Sequence, residues 1–143
     1  RSLRFASMVA KSSHSAHSEN SDTMSVFHRH IIEVPEMIAG DGTRLREILH
    51  PDNDGVDIAY SIAHFRLSVG EASVPHRLKS GETYYVLQGK CRLYVGEEQI
   101  ELRRDGIAYV PPMALQFVEN LGSEELVCLC IVQPAWRSED ELL

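Results

Sequence analysis

The sequence predicts an all-β domain, a sandwich or barrel of short strands, over residues 28–143. Three observations carry this. Apolar and polar residues alternate in many short runs, Gly, Pro, Asn and Asp punctuate those runs, and no stretch among them has a helical period. A length of 143 residues suits one domain, and a hydrophobic content of 43% permits a core of useful size.

Residues 1–27 stand apart. Arg1 to Ser18 is rich in Ser and His, contains Arg1, Arg4 and Lys11, and has neither an acid nor an apolar period. Two readings are open: a cleaved targeting leader, or a disordered N-terminal segment preceding a natural start at Met24. His14 and His17 lie in this Ser-rich tract and read as solvated.

From His28 the pattern is that of strands. Arg29 to Val34 is a short apolar run ended by Pro35. Thr43 to His50 follows, then a turn over Pro51-Asp52-Asn53-Asp54-Gly55. Ile58 to Val69 is a long strand with Ala63, Phe65, Leu67 and Val69 on one face and His64 and Arg66 on the other. Gly70 ends it. Thr83 to Leu87 is apolar on both faces, and Gly89 breaks it. Lys90 to Val95 alternates, Gly96-Glu97-Glu98 turns the chain, and Ile100 and Leu102 alternate with Glu101 and Arg103. Asp105-Gly106 turns it again before Ile107 to Val110, Leu115 to Val118 and Leu126 to Val132. The tail from Trp136 to Leu143 reads as a short acidic helix, and no repeat of solenoid period is present.

Composition excludes several functions. The formal charge is −7, and beyond Ile31 no basic cluster exceeds Arg103-Arg104, so nucleic acid is not an expected partner. No apolar run approaches the roughly 18 residues of a membrane span. Three cysteines, Cys91, Cys128 and Cys130, with no CxxC argue against a disulfide framework and a zinc knuckle. Cys128 and Cys130 should share one strand face as small buried hydrophobes in a reducing compartment. A cytoplasmic location is expected, with the cleaved leader left open.

The chemistry lies in Gly70 to Gly89. His76 and Leu78 are two apart, so in a strand both face one way. Glu82 opens the next strand, with Tyr84 and Val86 on its face. An imidazole and a carboxylate on neighbouring strands make half of a divalent-metal site. A carboxylate facing an apolar interior must be paired or neutralised.

Here the residues resemble the cupin family. Its first motif is Gly, five residues, His, one residue, His, three or four residues, Glu, six residues, Gly, and the chain supplies Gly70, His76, Leu78, Glu82 and Gly89 at that spacing. Its second motif is Gly, five residues, Pro, one residue, Gly, two residues, His, three residues, Asn, and the chain supplies Asp105, Pro111, Met113, Gln116 and Asn120. The resemblance spans residues 58–133. It implies a double-stranded β-helix, a jelly-roll barrel, with a short C-terminal tail. It also implies a divalent metal (Mn, Fe, Ni, Co or Zn) held by His76, Glu82 and Gln116, with Leu78 where a second imidazole stands in the family. Asp105-Gly106 and Met113 depart from the motif glycines, so the second hairpin is expected to be shaped differently. Asn120 reads as a turn residue.

Two functions follow. The first is a metal-dependent enzyme acting on a sugar, sugar phosphate or carboxylate, like the short cupins called mannose-6-phosphate isomerase-like, with Glu82 and Tyr84 as catalytic candidates. The second is a non-catalytic module that binds or senses a small molecule with a reduced or absent metal site. His64 reads as a surface or subunit-contact residue, with a ligand role in place of Leu78 as the alternative. The two-sided apolar runs Tyr84 to Leu87 and Leu126 to Val132 predict a homodimer, because an outward apolar face needs a cover.

Overall fold

The computed structural model describes residues 25–143. The leader reading, His14, His17 and Met24 lie outside the described residues. The strands are β1 (Met37–Ile38), β2 (Arg44–Leu49), β3 (Ser61–Leu67), β4 (Arg77–Leu78), β5 (Gly81–Gln88), β6 (Lys90–Val95), β7 (Glu98–Arg103), β8 (Ile107–Val110), β9 (Gln116–Asn120), β10 (Leu126–Gln133) and β11 (Glu141–Leu142), with one helical turn, α1 (Pro51–Asp54). They form a six-stranded sheet in the order β1-β2-β3-β10-β5-β8, a three-stranded sheet β7-β6-β9, and the pair β11-β4. All pairings are antiparallel.

The inner faces of the two larger sheets close on one core. Phe65 and Leu67 of β3, Tyr84 and Val86 of β5, Cys128 and Cys130 of β10 and Val110 of β8 meet Cys91 and Leu93 of β6 and Val118 of β9. Each fully buried aliphatic side chain contributes about 1.5–3 kcal/mol of transfer free energy. β10 lies between β3 and β5, pairing Cys128 with Phe65 on one side and Val86 on the other. Cys128 and Cys130 share the inner face as expected, and all three cysteines are free and buried. Burial pushes the Cys91 thiol up to about 11, so it stays protonated near neutral pH.

The segment Pro51 to Gly55 turns the chain as expected, by way of α1. His50 caps it, Nδ1 accepting the Asp52 N–H at 3.1 Å, Pro51 starts it, and Gly55 ends it at a left-handed φ of 66°. Asn120 holds the β9–β10 turn: its amide donates to the Leu67 and Glu124 carbonyls at 3.0 Å, and its oxygen accepts the Gly122 N–H.

Four expectations need correction. Arg29 to Val34 is no strand; residues Ile31–Glu33 form one 3-10 turn, because the Glu33 carboxylate turns back to accept the His30 N–H at 2.7 Å. The long strand stops at Leu67, since the Glu71 carboxylate captures the Ser68 N–H at 2.6 Å, and Val69 is exposed. The tail is a 3-10 turn, Ser138–Asp140, followed by β11; its backbone finds the free edge of β4, pairing Glu141 with Leu78. The second hairpin keeps the glycine conformation without the glycines, as Asp105 sits at φ 68° and Met113 at φ 69°.

Candidate functional site

Three strands bring the motif residues together. Just before β4, His76 forms a two-bond bridge with Gln116, which opens β9: His76 N–H donates to the Gln116 carbonyl at 3.0 Å and Gln116 N–H to the His76 carbonyl at 2.8 Å. The paired residues of such a bridge project to the same side. Glu82 and Tyr84 lie on β5, opposite Val132 and Cys130 of β10. All four side chains are buried, His76 at 5% exposure and Glu82 at 8%. His76, Leu78, Glu82 and Tyr84 line a cavity of about 150 Å³ inside the barrel.

The hydrogen bonds fix the chemical state of each group. The Tyr84 hydroxyl donates to Gln116 Oε1 at 2.5 Å. The Gln116 amide and the Cys130 thiol lie beside the Glu82 carboxyl and favour its charged form. Burial outweighs both of them and the nearby His76, and raises the Glu82 carboxyl from 4.5 to about 6. Burial, then the Glu82 charge, pushes the Tyr84 phenol well up, so it remains a donor. His76 Nδ1 lies 2.8 Å from the Val74 carbonyl. A carbonyl only accepts, so Nδ1 carries the proton, and in the neutral ring Nε2 keeps a lone pair with no protein partner among the described residues.

The sequence reading missed several members of this cavity. Asp41, Glu47, Trp136 and Glu141 also line it. Glu47 sits on β2 two residues beyond Leu45, and the inward position of Leu45 opposite Phe65 was the available signal. Asp41 lies in the turn before β2, and Trp136 and Glu141 lie in the tail, where no periodicity points. Trp136 is tied down by its N–H to Ser61 Oγ at 2.9 Å and by its carbonyl to His50 Nε2 at 2.8 Å. His64 pairs with Arg46 and Leu129 on the outer face of the six-stranded sheet. It does not replace Leu78 at the cavity.

The donor set fits a divalent metal poorly. Among the described residues no three His, Cys, Asp or Glu side chains converge in the manner of a metal site. Gln116 Oε1, the oxygen that would ligate, already accepts the Tyr84 proton, and Leu78 presents an isobutyl group. Of the three expected ligands, one imidazole nitrogen and one carboxylate remain, short of the three protein ligands of an open catalytic site.

A closed jelly-roll with its polar residues converging inside is the architecture of a β-barrel small-molecule site. The model of the cupin domain matches residues 63–132. An uncharacterized protein of Methanocaldococcus jannaschii is 30% identical over 119 residues, covering 82% of this chain and 94% of that protein. The chain belongs to the cupin superfamily. Among solved structures it resembles a predicted oxalate decarboxylase of Thermotoga maritima, with a TM-score of 0.67 and 14% identity over 76% of this chain and 99% of that one. It also resembles the polyketide cyclase RemF of Streptomyces resistomycificus, with a TM-score of 0.65 and 19% identity over 81% and 89% of the two chains. At these identities the likeness is one of fold. Among the described residues no helix is long and apolar enough to cross a membrane.

Proposed function

We propose that this cupin binds one small organic molecule in the barrel cavity, with Glu82 and His76 as the groups that exchange protons with it. One observation carries the reading. A carboxyl raised to about 6 and an imidazole nitrogen with no protein partner among the described residues face the same cavity. A group that titrates near neutral pH can both take and return a proton. Tyr84 fixes the Gln116 amide beside the Glu82 carboxyl, so Tyr84 acts as a positioning residue. Proton exchange of this kind suits the isomerase-like action that the resemblance implies, and it suits equally a binding module that senses protonation.

The metal reading assigns His76, Glu82 and Gln116 as ligands, and one experiment separates the two. The protein is purified without added metal, and its metal content is measured beside that of Glu82→Gln and Leu78→His. The expected result is less than one metal per ten chains in the parent. Leu78→His should raise affinity for Zn or Co at least tenfold by adding a second imidazole on the face of His76. One tightly bound metal per parent chain, lost in Glu82→Gln, would overturn the proposal and establish the metal site.

A further inference from the structure

The charge inside the cavity narrows what it holds. Four acidic residues line it, Asp41, Glu47, Glu82 and Glu141, and among the described residues no Lys or Arg does; one oxygen of Asp41 also accepts from Thr43 and one of Glu47 from Asn53. Their locations differ: a turn, β2, β5 and the tail strand β11. The cavity therefore gathers one sign of charge from four separate parts of the chain. An acidic lining alone would be compatible with plain solvation, but a second feature points to an occupant. His76 is more than nine-tenths buried, its Nδ1–H is spent on the Val74 carbonyl, and Nε2 is left as an acceptor with no protein partner on the cavity wall. Polar atoms of a largely buried side chain are ordinarily satisfied. For the neutral ring, the group that satisfies Nε2 from the cavity is a donor.

The remaining walls agree. Phe65, Tyr84 and Trp136 line the same cavity, and aromatic faces attract cations. Phe65 and Tyr84 meet edge to face with centroids 6.1 Å apart. An anionic ligand would face these acidic residues with no Lys or Arg among the described residues to offset them, and like charge in a low-dielectric cavity is strongly unfavourable. A cavity of about 150 Å³ is also the size that accepts a molecule of about six non-hydrogen atoms.

Resting on the reading that the barrel binds a small organic molecule, we infer that its ligand is a small organic cation, a primary amine or diamine whose N–H groups are accepted by His76 Nε2 and the surrounding carboxylates.

The test uses the chain's single tryptophan, Trp136, as the reporter, since it lines the cavity. Its emission is titrated with 1,4-diaminobutane, butane-1,4-diol and succinate, which have matched chain lengths and differ in charge. The diamine should saturate the signal, the diol should bind at least tenfold more weakly, and succinate should not bind. Glu82→Gln and Glu47→Gln should each weaken the diamine at least fivefold, and thermal melts identify any variant that fails to fold. Glu47, half-buried on β2, is the safer of the two. Diol binding equal to that of the diamine, or diamine binding unchanged in both folded variants, overturns the cation assignment and leaves the pocket reading standing. Preferred binding of succinate does the same. No response to any of the three overturns both.

Discussion

Glu82 carries a carboxyl group into an apolar barrel, and its protonation is coupled to folding. Its folded value lies near 6 against 4.5 in the open chain. Between those two values the folded state holds a proton that the unfolded state has released. This group's contribution is therefore most favourable below pH 4.5. It falls as pH rises through 6 and is constant above that, by about 2 kcal/mol in all. Cys130, His76, Asp41 and Gln116 face the carboxyl, and burial exceeds all of them in effect. Glu82→Gln has nothing to titrate. The stability of the variant relative to the parent should rise by about 2 kcal/mol from pH 4.5 to pH 7.5, read from denaturant melts at both. Parallel profiles would show that Glu82 titrates alike in the folded and unfolded chain.

The connection between β8 and β9 carries local backbone strain. Met113 takes a left-handed φ there, which costs a side-chain-bearing residue about 1–2 kcal/mol. The turn holds it because its N–H donates to the Leu78 carbonyl at 2.8 Å and its carbonyl accepts from Arg77 at 2.8 Å. Both bonds lock the turn against β4 and keep Gln116 in register with His76. Met113 is 43% exposed, so its side chain contributes little packing. Met113→Gly should raise stability by about 0.5–1 kcal/mol after the extra chain entropy of glycine is subtracted. Met113→Val, whose branched Cβ resists this conformation, should lower stability. Melting points that rank Val above Gly would contradict the assignment.

Over the whole molecule, the outer face of the six-stranded sheet has two halves. One holds charge: Arg66 binds Glu36 at 2.6 Å and Glu125 at 2.9 Å, and Arg46 Nε and His64 Nδ1 are buried with no partner among the described residues. Desolvation and the neighbouring Arg46 lower the His64 imidazole, so it is neutral at physiological pH. The other half is apolar. Ile107 and Tyr109 of β8 are 64% and 63% exposed, and Leu87 and Ile131 also reach the surface. A contiguous apolar face on a sheet calls for a cover, and we propose a second copy of the chain. Sedimentation at micromolar concentration should give twice the chain mass. Ile107→Lys together with Ile131→Lys should give the monomer with an unaltered circular dichroism spectrum. A parent that sediments as a monomer would sink this.

Much of the barrel was legible in the sequence. Alternation placed Phe65, Tyr84, Val86, Leu93, Cys128 and Cys130 on inner faces, because side chains on a strand alternate with a period of two whatever lies opposite. Motif spacing brought His76, Glu82 and Gln116 to one site, since turns of set length carry a strand register with them. Three features had no local signal. The tail became β11 because a free edge of β4 was within reach, and strand pairing over such a separation is decided by what lies beside it. Gln116 gave its oxygen to Tyr84, which depended on β5 and β9 meeting across the barrel. The four carboxyls around the cavity come from segments distant in sequence, and only closure of the barrel sets their charges together. Local periodicity therefore determined which residues point inward, while long-range pairing alone decided which of them touch, and the chemistry of the site depends on the touching.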